Sequence, residues 1–112
     1  MTKIINLTPH DIAVVDDLGG LTTFPKSGIV ARVSATVKQV GVIPSKTAGH
    51  FQLFKQDLGQ VQDLPKQVND TFLIVSAMVK AASDRADLIA PNSGDAIRND
   101  AGQIIAVKGF IA

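Results

Sequence analysis

His10 and His50 are the only histidines in this sequence, and neither stands four residues from a second metal ligand. There is no cysteine, so a disulfide framework, a thiolate zinc site and a cysteine nucleophile are excluded. A His10, Asp100 and Ser76 trio can be assembled on paper, but any chain of this size offers such a set and the spacing lends it no support. No G-x-S-x-G elbow, P-loop or G-x-G-x-x-G run is present. The expectation is therefore a protein with no catalytic residues, no metal and no cofactor, whose polar side chains recognise rather than transform.

Three constellations could do that. In the segment Asn6-Leu7-Thr8-Pro9-His10-Asp11, Thr8 and His10 can face a ligand, or the whole can be a rigid polar turn joining two strands. Arg32 sits inside the apolar run 29–33. Its guanidinium must meet water, a carboxylate or an anion, because burying it unpaired is costly. Arg85 lies in a charged stretch that also holds Asp84 and Asp87, and Arg98, Asn99 and Asp100 sit in a second one. An arginine there can grip phosphate or carboxylate with two prongs, while Asn99 and Asp100 can meet ribose hydroxyls or a base edge. The alternative is an internal network, Arg85 with Asp100 or Arg98 with Asp87, pinning a hairpin to a helix end.

The elements that must position these residues are mostly short strands. Residues 12–15 are rich in β-branched side chains, and with 21–24 across the Asp16–Gly20 turn they read as a hairpin. Residues 29–33 resume a strand, and 36–43 alternate as a longer, bent one. Residues 50–54 form a strand candidate, whereas 55–68 hold Gly59, Pro65 and many polar residues and read as a loop with at most one short strand at Gln60-Val61; the exposed stretch 55–70 is then a natural contact surface for a protein partner. Residues 71–75 suggest a buried strand. One helix is expected over 75–83, from the stripe Val75, Met78, Val79 and Ala82. Residues 88–91 are extended before a turn, and 96–110 form a closing hairpin. The fold class is α+β, mainly antiparallel β with one short helix, in a compact single domain over 1–112.

The 112 residues and 11.8 kDa suit one domain. At 46% hydrophobic and 19% charged, the chain can pack a core and is not a disordered one. Eleven basic residues against ten acidic ones give a formal net charge of +1, which excludes a strongly basic binder of long nucleic acid. Aromatic platforms are scarce, with five Phe and no Trp or Tyr. No targeting signal or apolar stretch near the ~18 residues of a membrane span is present, so no membrane partner and a cytoplasmic location are expected.

The segments 5–12, 27–33, 73–76, 85–91 and 97–105 together resemble a family of small phage and prophage proteins. The run Asn6-Leu7-Thr8-Pro9-His10 is the most specific of them. The family pattern has an acidic pair after the arginine of the last hairpin, and here Asn99 precedes Asp100. More loosely, the size and the residue palette resemble phage anti-defence sponges of the Thoeris type. This likeness implies a non-enzymatic, phage-encoded protein in the host cytoplasm. It implies capture of a nucleotide-derived immune signal, a cyclic nucleotide or cyclic ADP-ribose isomer, in a homo-oligomer. The residues offered for that ligand are Thr8, His10, Arg32, Phe72, Arg85, Arg98, Asn99 and Asp100, with Phe110 as a further apolar wall. The alternatives are a small phage structural or accessory protein and a direct protein inhibitor of a host enzyme.

Overall fold

The computed structural model describes residues 2–112 and is mainly β, with about half of the chain in ten strands and one short helix. β1 (Lys3–Asn6), β6 (Thr71–Ile74), β7 (Leu88–Pro91) and β10 (Phe110–Ile111) form one mixed sheet in the order β1-β6-β7-β10. β1, β6 and β7 run parallel, and β10 closes the edge antiparallel to β7. β2 (Ile12–Val15), β3 (Leu21–Phe24), β8 (Ala96–Arg98) and β9 (Ile104–Val107) form a second sheet in the order β3-β2-β9-β8. The expected hairpin 12–24 is there; the closing hairpin ends at Val107 and not at Phe110, because Phe110 crosses to the first sheet and pairs with Pro91.

The central strands explain the core. β6 is a short apolar run flanked on both edges by parallel neighbours, and Leu73, Ile74 and Val75 are all buried. Leu73 and Val75 pack with Leu7, Ala31, Val79 and Leu88, and Ile5, Val33, Val61 and Leu64 close around them. The helix α1 (Ala77–Ala81) follows β6 directly. It is shorter than the 75–83 stripe suggests. The Val75 amide donates to the Ile89 carbonyl at 2.9 Å, so the sheet claims that residue. Ser76 is then the N-cap, its hydroxyl accepting from the Val79 amide at 3.2 Å. Of the stripe, Val79 anchors the helix, while Met78 is exposed.

Two other expectations are corrected. Residues 29–31 are not a strand. β4 begins at Arg32 and runs unbroken to Ile43, while the Ala31 amide donates to the Leu7 carbonyl at 3.0 Å. Much of 55–68 is not a loop either. β5 (Phe51–Gln62) pairs antiparallel with β4 (Arg32–Ile43) through the whole of that stretch. The two strands make a separate ribbon, an arm that leaves the compact body at Val33 and Val61. A ribbon with no core beneath it has no reason to alternate polar and apolar side chains, so its sequence looks like a loop. The arm stretches the molecule to 58 × 38 × 22 Å. Among the described residues no helix is long and apolar enough to cross a membrane.

Candidate functional site

The turn between β1 and β2 carries the chain from one sheet to the other, and Asn6 holds it. Asn6 is 2% exposed. Its Nδ2 donates to the His10 carbonyl at 2.7 Å and to the Phe24 carbonyl at 2.9 Å. Its Oδ1 accepts from the Thr8 amide at 2.9 Å and the Thr8 hydroxyl at 2.7 Å. Thr8 is itself buried, and its Oγ1 also lies 3.0 Å from the His10 carbonyl. The turn reading thus accounts for the polar atoms of Asn6 and Thr8, while the His10 residue is exposed.

Arg85 also has internal partners. Its Nε and Nη2 grip Asp87 at 3.0 and 2.6 Å, and its Nη1 donates to the Pro65 carbonyl at 2.8 Å. The partner expected for Arg85 was Asp100; the structure supplies Asp87 instead, two residues away on the same strand approach. The carboxylate raises the guanidinium above its ordinary pKa, through its hydrogen bonds first and its charge last, with partial burial opposing. In the closing hairpin, Arg98 Nη1 donates to the Gly102 carbonyl at 2.8 Å rather than to Asp87. Asn99 Oδ1 accepts from the amides of Ala101 and Gln103, both at 3.0 Å, and Gly102 turns at φ +81°. Asp100 is exposed at the tip of that turn.

Arg32 differs from the other arginines. It is exposed at the root of the arm and makes no ion pair among the described residues. It lines an open groove of about 620 Å³ with Gly28, Ile29, Val30, Asp63, Leu64 and Pro65. Both walls are made by abrupt turns, at Gly28 (φ +94°) and at Asp63 (φ 60°), where the chain enters and leaves the arm. The Arg85–Pro65 hydrogen bond ties down one of these walls. A smaller hollow of about 390 Å³, also lined by Arg32, includes Pro9, Ser76 and Met78. Phe72 borders a third, beside Thr71 and Asp87. Phe110 instead packs edge-on against Phe24, with ring centroids 5.9 Å apart.

The candidate residues therefore do not converge on one pocket. Arg85 touches the lining of two hollows, the Arg32 groove through the Pro65 carbonyl and the Phe72 hollow through Asp87. The 98–100 hairpin lines none of these hollows. Sequence reading missed Asp63 and Pro65 as groove residues and Asn6 as the organiser of its turn. The Asp63-Leu64-Pro65 run at the end of a strand is a turn signal that points to the first two. No side-chain hydrogen bond joins Ser76 to His10 or Asp100, and the Ser76 hydroxyl serves as a cap. Set against known proteins, the chain matches no family model, no curated protein and no solved structure.

Proposed function

We propose that this chain is a non-enzymatic binding protein that captures a small anionic molecule of the nucleotide-derived class in the groove at the root of its arm. The observation that carries the reading is Arg32, an exposed arginine without a carboxylate partner, in a groove whose size suits a mononucleotide or cyclic dinucleotide. Asp63 on the same groove is the complement for ribose hydroxyls or a base amine, and it disfavours a ligand that is anionic throughout. The likeness to phage anti-defence sponges supports the nucleotide class, the phage origin and the host cytoplasm as the place of action.

Native mass spectrometry of the freshly purified protein, then with cyclic nucleotides and ADP-ribose isomers added, tests this. The expected result is a discrete added mass that is released chemically unchanged and is lost in Arg32→Ala with the fold intact. A ligand that is turned over, or one held equally well by Arg32→Ala, overturns it.

A second reading is a small phage structural or accessory protein. The arm favours it, because a long ribbon projecting from a small body is built for protein contact. It predicts association with virions or large assemblies and no nucleotide affinity.

A further inference from the structure

The arm exposes seven large apolar side chains: Val37, Val40, Val42, Ile43, Phe51, Leu53 and Phe54 are each between 43% and 63% exposed. Two twelve-residue strands rise about 40 Å. A lone two-stranded ribbon is marginal in water, so this one needs a constant companion.

Its register shows which face that companion covers. Residues paired across the strands share a face, and neighbours along a strand alternate. Thr36–Asp57 and Lys38–Lys55 fall on one face, Ala35–Leu58, Val37–Gln56, Gln39–Phe54 and Val42–Gln52 on the other. All three charges in this paired stretch are therefore on the first face. Two of them, Lys38 and Lys55, stand directly opposite each other, an arrangement tolerable only in water. The second face carries no charge at all from Ala35 to Val42.

We infer that the arm is a self-association element, and that its uncharged face packs against the same face of a second copy of this chain. A two-fold contact sets a patch against itself, so any charge near its axis meets its own kind. A face cleared of charge, backed by one that keeps its lysines, satisfies that condition. A basic or acidic partner would instead call for charge on the contact face. Val37, Val42 and Phe54 give this face its apolar surface, interleaved with the neutral amides of Gln39, Gln52 and Gln56. The tip residues Ile43, Phe51 and Leu53 sit on the charged face beyond the lysines and extend the apolar surface around the end of the ribbon. This inference stands apart from the ligand reading, which concerns Arg32 at the arm's root.

The absence of cysteine makes a clean test possible. Single cysteines are placed on the uncharged face (Val37→Cys, Gln39→Cys, Gln56→Cys) and on the charged face (Thr36→Cys, Lys38→Cys), and mild oxidation is followed on non-reducing gels. Sedimentation velocity is run on the wild type and on a Val37→Glu, Phe54→Glu double variant, with far-UV circular dichroism as the check on folding. The expected wild-type mass is twice 11.8 kDa, halved in the double variant. Disulfide-linked dimers should form from the uncharged face and not from the charged one. A wild type that sediments as a single chain overturns the inference, as do charged-face cysteines that cross-link as fast as the others. The cysteine series decides the matter even if the double variant fails to fold. An intact dimer in Arg32→Ala with ligand lost separates this interface from the groove.

Discussion

Asn6 uses both halves of its amide inside a turn that joins the two sheets, and the cost of losing it is correspondingly high. Asn6→Ala takes a partner from the buried Thr8 amide and from the His10 and Phe24 carbonyls, while the Thr8 hydroxyl keeps the His10 carbonyl. It should cost about 2–4 kcal/mol in a urea titration, since each orphaned buried group costs ~1–3 kcal/mol. Thr8→Val keeps the amide bond to Asn6 and should cost less, about 1–2 kcal/mol. Asp87, 5% exposed, poses the same problem with a charge. Asp87→Ala strands Arg85, which is itself partly exposed, so a loss of about 2–3 kcal/mol is expected, below the ~3–5 kcal/mol of a fully buried pair. Lysine at position 85 should not restore what Arg85 gives. An ammonium cannot grip both carboxylate oxygens and reach the Pro65 carbonyl as well.

The elements differ in how openly they declare themselves. Hairpins 12–24 and 96–107 are legible because β-branched runs and Gly or Asp turns are local signals. β6 is legible because parallel central strands are apolar on both faces. The helix is legible in kind and not in extent, since the competition for Val75 is decided by a strand far away in sequence. Ser76→Ala removes the cap and should lower stability by about 1 kcal/mol in thermal unfolding. Val79→Ala empties a fully buried position and should cost about 2–3 kcal/mol. The arm was half hidden, because its second strand answers to no core. The groove was hidden further. Arg32 stands out as a charge in an apolar run, but Asp63 and Pro65 join it only through the pairing of β4 with β5.

At the scale of the molecule, a Cα radius of gyration of 17.9 Å stands against the about 13 Å of a compact domain of this length. The excess is the arm. The body's core takes only Val33 and Val61 from it, both next to its root. Replacing residues 36–57 by a short turn should leave a folded body. If the arm joins two copies, that variant has a Tm which no longer rises with protein concentration, whereas the wild-type Tm does. A concentration-independent wild-type Tm would count against association through the arm.

The pairing of β1 with β6, and of β2 with β9, also sets an order of events as the chain is made. Neither sheet can close until its late strands have emerged, and the edge strand β10 is nearly the last of them. The arm's two strands are neighbours in sequence, and a hairpin forms in ~1–10 μs. The ribbon can therefore pair transiently while the body is still open, although alone it is marginal. Nascent chains on neighbouring ribosomes would then present their uncharged faces before their cores are complete. If the ribbon joins finished copies, it is also the first surface at which unfinished ones meet.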